Sequence, residues 1–113
     1  MGSELRSSGF YLKTKEDFDK FKEEKEIKPV NFEMQVRNLI EAGEIIFAEL
    51  DDGYMAIRRK KGYGLSKGKS ELYICTFGEV PQTYRHRDVD SGIRQFSQLH
   101  KEGMNFFYVE GLR

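Results

Sequence analysis

The stretch Glu44-Ile45-Ile46-Phe47-Ala48-Glu49-Leu50-Asp51-Asp52-Gly53-Tyr54-Met55-Ala56-Ile57-Arg58-Arg59 decides the reading of this chain. Its apolar residues follow a period of two. Ile45 and Phe47 fall on one side of a strand, and Ile46, Ala48 and Leu50 on the other. Both sides are apolar, which predicts a strand covered on both faces and therefore central. Asp51-Asp52-Gly53 is a hairpin signal, and Tyr54 to Arg59 returns as a second strand. Beyond a Gly/Lys/Ser segment (62–70), Glu71 to Phe77 alternates again and puts Tyr73, Cys75 and Phe77 on one side. Residues 44–77 therefore read as a three-stranded antiparallel meander.

On the N-terminal side of the meander the period changes to that of helices. Asn31 is placed to cap a helix in which Phe32, Val36, Leu39 and Ile40 form one apolar stripe. Gly43 follows as its C′ residue. Before Pro29, Thr14 is placed to cap a charged helix over 15–26, with Asp17 in the capping-box position and only Phe18 and Phe21 apolar on its inner face. Gly9 to Lys13 reads as a first strand. On the C-terminal side, Asp88 or Asp90 caps a third helix ending at Gly103, with Val89, Ile93, Phe96 and Leu99 facing in. Gly92 in its first turn weakens that helix by up to ~1 kcal/mol relative to Ala. Met104 to Val109 is a last strand.

The expected order is β-α-α-β-β-β-α-β. This is an α+β domain with a mainly antiparallel sheet of about five strands and about three helices, the helices packed on one face. At 113 residues the chain forms a single domain over 1–113, large enough to bury roughly two thirds of its unfolded surface. Residues 1–8 are expected to lie outside the ordered part, and Met1-Gly2-Ser3 reads as an expression remnant. With nine Phe, six Tyr and no Trp, aromatic rings must supply much of the core volume.

The lone cysteine, Cys75, rules out an intrachain disulfide and gives no sign of an oxidising compartment. No stretch approaches the ~20 apolar residues of a membrane helix, and the N-terminus has no signal-peptide core. The expected location is the cytoplasm, with no membrane partner.

Net charge is zero but unevenly placed. Residues 1–53 carry 8 Lys/Arg and 13 Asp/Glu, a net of −5, and residues 54–113 carry 11 and 6, a net of +5. Either the halves neutralise each other, or the basic half serves an acidic partner. The densest basic segment runs from Arg58 to Lys69: Arg58, Arg59, Lys60, Lys61, Lys67 and Lys69, with no acid among them. Between two strands it reads as a long hairpin. Its glycines let backbone N–H groups approach phosphate, its cations neutralise it, and Tyr63 can stack on a base. As a plain structural feature, the same lysines guard a sheet edge against aggregation. A second segment, Thr83-Tyr84-Arg85-His86-Arg87, adds Tyr84, Arg85 and Arg87. Otherwise it is a polar loop before a helix.

Several chemistries are poorly supported. Gly68-Lys69-Ser70 ends like a P-loop, but the required first glycine falls on Tyr63 and a strand follows where a helix is needed. His86, Asp88 and Asp90 could ligate a metal or serve a small hydrolase or transferase, but no further ligand is evident, and the aspartates are better explained as caps. Cys75 has the setting of an inert buried thiol. Glu44, Glu49, Asp51 and Asp52 cluster at a hairpin end, where solvation explains them. In the first helix, acids interleave with lysines as i,i+4 pairs, which argues against nucleic-acid mimicry. No cofactor and no catalytic residue is assigned.

The leading expectation is a non-enzymatic domain that contacts nucleic acid or a phosphate-rich partner through the basic hairpin with Arg85 and Arg87. The alternative is a small protein-interaction module that regulates or inhibits a larger protein. Exposed edge strands also allow a homodimer.

Overall fold

The computed structural model describes residues 12–60, 68–99 and 104–112, without the side chains of Phe32, Glu33 and Lys60. Its elements are α1 (Lys15–Glu24), β1 (Ile27–Pro29), α2 (Phe32–Glu41), β2 (Ile46–Leu50), β3 (Gly53–Lys60), β4 (Lys69–Thr76), β5 (Gln82–His86), α3 (Val89–Gln98) and β6 (Phe106–Val109). They form an α+β domain around one six-stranded sheet of order β1-β6-β2-β3-β4-β5, with every neighbouring pair antiparallel.

The meander lies at the heart of this sheet. The two-sided apolar pattern of β2 has the predicted consequence: Ile46, Phe47 and Ala48 are completely buried. Facing one side, Ile45, Phe47, Tyr54, Ala56, Tyr73, Cys75, Phe107 and Val109 pack with Leu12, Phe18 and Phe21. The rings here are closely ordered. Phe18 stacks on Tyr54 with centroids 5.1 Å apart, and Phe47 on Phe107 at the same distance. Facing the other side, Ile46, Ala48, Met55, Ile57, Leu72 and Phe106 pack with Val36 and Ile40 of α2 and Phe96 of α3. The helices therefore lie on both faces rather than one, with α1 alone on the aromatic face. Phe18 and Phe21 anchor it there, each buried ring contributing roughly 2–3 kcal/mol, and Lys22 pairs with Glu49 of β2 at 2.6 Å.

Helix boundaries follow their caps. Thr14 Oγ1 accepts from the Asp17 N–H at 3.1 Å, Asn31 Oδ1 from Met34 at 3.1 Å, and Asp88 Oδ1 from Ser91 at 2.7 Å. Gly43 closes α2 with φ 93°, its N–H donating to the Ile40 carbonyl at 3.0 Å.

Further details also differ from the sequence reading. Leu12 and Lys13 are not in a strand, and the rest of the expected first strand lies outside the described residues. A three-residue strand, β1, instead runs beside β6 with Ile27 opposite Val109. Pro29 can sit there because β1 is at the sheet's edge, where a missing N–H breaks no ladder bond. The segment read as a polar loop is β5, an edge strand whose residues are exposed or half-buried. Finally, Leu99 caps α3 and is 36% exposed rather than facing in; residues 100–103 lie outside the described residues.

Candidate basic surface on β3, β4 and β5

Antiparallel register arranges the candidate residues in rows across β3, β4 and β5. Arg58 lies opposite Glu71, which lies opposite Arg85. Two residues along β3 toward the hairpin end, Lys60 lies opposite Lys69. Strand alternation puts Arg58, Glu71, Arg85 and Lys69 on the face that carries Tyr73 and α1. The intervening row, Arg59–Ser70–His86, belongs to the opposite face, as does Tyr84 in the row Ile57–Leu72–Tyr84. The predicted set is therefore split between faces. Arg58, Lys69 and Arg85 come together, while Arg59 and Tyr84 point the other way. Arg87 is exposed in the bend between β5 and α3. Lys61, Tyr63 and Lys67 lie outside the described residues.

At the centre of the basic face is a carboxylate. Glu71 is only 3% exposed. Its Oε1 accepts from Arg58 Nε at 3.2 Å, from Arg58 Nη2 at 3.0 Å and from the Tyr73 hydroxyl at 2.6 Å. Its Oε2 accepts from Arg85 Nε at 3.2 Å. A charge buried this deeply needs such company, because its desolvation costs several kcal/mol when unpaired. The Arg58 guanidinium also lies 5.8 Å from the centre of the Tyr73 ring. Burial, and then the hydrogen bond to Glu71, push the Tyr73 hydroxyl up to about 12.

The two arginines are held differently. The Arg58 side chain is 16% exposed, locked between carboxylate and ring. The Arg85 side chain is 70% exposed and touches Glu71 through Nε. On the opposite face Arg59 donates to the Glu41 carbonyl at 3.3 Å, at the C-terminal end of α2, where a cation suits the helix dipole. With Arg37, Glu41, Asp88, Val89 and Asp90 it lines a cleft of about 380 Å³.

Among the described residues, ion pairs join the acidic and basic halves of the chain. Lys28–Glu110 and Arg37–Asp90 each use a cation of the acidic half and an acid of the basic half.

Sequence reasoning missed Glu71, although a signal was present. Glu71, Tyr73 and Cys75 alternate onto one core-facing side, and an acid in that position implies a buried, paired charge. The acids grouped at the β2–β3 hairpin also prove unalike. Glu44 is 7% exposed and accepts from the Gly111 N–H at 3.0 Å, and Glu49 pairs with Lys22 at 2.6 Å. Asp88 is engaged in capping α3 and Asp90 in its pair with Arg37. Among the described residues no cluster of His, Cys, Asp or Glu is arranged to hold a metal, and no helix is long and apolar enough to cross a membrane. The chain matches no protein-family model, no curated protein and no solved structure.

Proposed function

We propose that this protein is a non-enzymatic binding domain that contacts the phosphates of nucleic acid through the face bearing Arg58, Lys69 and Arg85, together with the exposed Arg87. The observation that carries the proposal is the row Arg58–Glu71–Arg85, in which two arginines from separate strands meet on one carboxylate while Arg85 stays open to solvent. Binding through such a surface is driven by release of counterions and falls steeply with salt. On this reading the protein works among the nucleic acids of the cytoplasm.

The test is fluorescence anisotropy with labelled single-stranded and duplex DNA and RNA at low and moderate salt. Micromolar or tighter binding is expected. Replacing Lys69 and Arg85 by alanine should weaken it and flatten the salt dependence by roughly one unit of slope for each phosphate no longer neutralised. Absence of binding to all four probes at low salt would retire the proposal.

A second reading has its own observation. Among the described residues β5 pairs only with β4, and Val80 just before it is 85% exposed. An open edge of this kind accepts a partner's strand. A protein partner captured regardless of salt or nuclease would favour this interaction-module reading.

A further inference from the structure

Arg58 and the Tyr73 hydroxyl already give the buried Glu71 carboxylate three donors on Oε1. Arg85 adds a fourth on Oε2, yet its side chain is mostly in solvent. The bond is made through Nε, the inner nitrogen of the guanidinium. Holding Nε against a fixed carboxylate sets the plane of the guanidinium and leaves its two outer NH2 groups without a described partner. A guanidinium presented in this way offers parallel donors that match two oxygens of a phosphate. An unconstrained surface arginine would have to give up its rotamer freedom on binding.

We infer that Glu71 is a positioning residue that fixes Arg85, backed by Arg58, as a preorganised fork for a single phosphodiester of a nucleic-acid backbone. The inference rests on the nucleic-acid reading above. It makes a demand that simple charge counting contradicts. Glu71→Gln removes an acid from a basic surface, so charge alone predicts tighter binding. A Gln at this position places an NH2 group against one of its arginine donors and releases it. Positioning therefore predicts weaker binding despite the added positive charge.

Dissociation constants of a labelled oligonucleotide would be measured across a salt series for the wild type, Glu71→Gln, Arg85→Lys and the double variant, with thermal melts alongside. Glu71→Gln should weaken binding about tenfold, the effect expected for losing a charge-assisted hydrogen bond. Arg85→Lys keeps the charge and loses the fork, so affinity should fall by a similar factor at unchanged salt slope. In the Arg85→Lys background, Glu71→Gln has no fork left to misplace and should no longer weaken binding. Equal or tighter binding by a folded Glu71→Gln protein, with the wild type binding normally, overturns the inference and leaves the nucleic-acid reading standing. If Glu71→Gln fails to fold, the exposed Arg85→Lys site decides, and wild-type affinity there overturns the inference. A wild type that binds no probe removes the broader reading and this inference with it.

Discussion

Gly92 shows how a residue that weakens its own helix can be required by the packing beneath it. A Cβ on Gly92 would overlap Ser70 Oγ and lie 2.7 Å from Ser70 Cβ. Ser70 itself is completely buried and its hydroxyl donates to the Asp88 carbonyl at 2.7 Å, pinning the start of α3 to β4. Gly92→Ala should therefore destabilise the protein by about 1–3 kcal/mol in denaturant unfolding, the usual cost of overpacking, although alanine is the better helix former. A second residue-scale prediction concerns Tyr73. Its hydroxyl is raised in the folded state from an ordinary 10.0 to about 12. The folded state thus holds this proton more tightly. The associated stabilisation is complete below about pH 10 and is lost as pH rises through about 12, a change on the order of 2–3 kcal/mol. The stability gap between the wild type and Tyr73→Phe should shrink across that window in urea titrations; a constant gap would show that the hydroxyl does not titrate as described.

At the scale of elements, caps explain why helices were easier to read than edge strands. Asn31 accepts from Met34, and Gln35 Oε1 reaches back to the Asn31 N–H at 2.7 Å, so α2 starts where its sequence announces it. Asn31→Ala should cost about 1 kcal/mol, seen as a lower denaturation midpoint with an unchanged slope. The Asp88 carboxyl is held below its ordinary range by its hydrogen bonds from Ser91. The cap on α3 is accordingly in place above the ordinary carboxylate range and is lost as pH falls through its lowered value. Among the strands, β2, β3 and β4 were legible because their residues alternate into two cores. β1 was not, since three residues ending in Pro29 give no periodicity. β5 was not, since an exposed edge strand has no apolar face to alternate. Gly53 was read as part of the turn, but the turn is Asp51–Asp52, and Gly53 begins β3 opposite Thr76. There a side chain would run into the Cys75 backbone of β4, whose carbonyl carbon is 2.9 Å from a Cβ.

Across the whole molecule the sheet is sandwiched between α1 on one side and α2 with α3 on the other. Cys75 is completely buried within the aromatic layer, and burial pushes its thiol up. A thiol reagent should therefore label the native protein only as fast as the protein opens, so labelling reports global unfolding and should accelerate in the Gly92→Ala protein. The basic surface was legible as composition and only in part as geometry. Sequence marks Arg58, Lys69 and Arg85, and alternation along β3 already puts Arg59 on the far face from Arg58, but the assignment of Arg85 to the basic face and Tyr84 to the other depends on the register of β5, a strand that sequence does not announce.

The position of β6 has a consequence for how the chain is made. It lies between β1 and β2, so β1 has no strand to join until Val109 has been synthesised. A nascent chain leaving the ribosome can close β2, β3 and β4 early, since their pairings are local. It must meanwhile carry β1 without its strand partner, with the edge of β2 open. Synthesis of Phe106–Val109 is then the step that completes the sheet, and until that point the edge of β2 presents unpaired backbone groups of the kind that other chains can join.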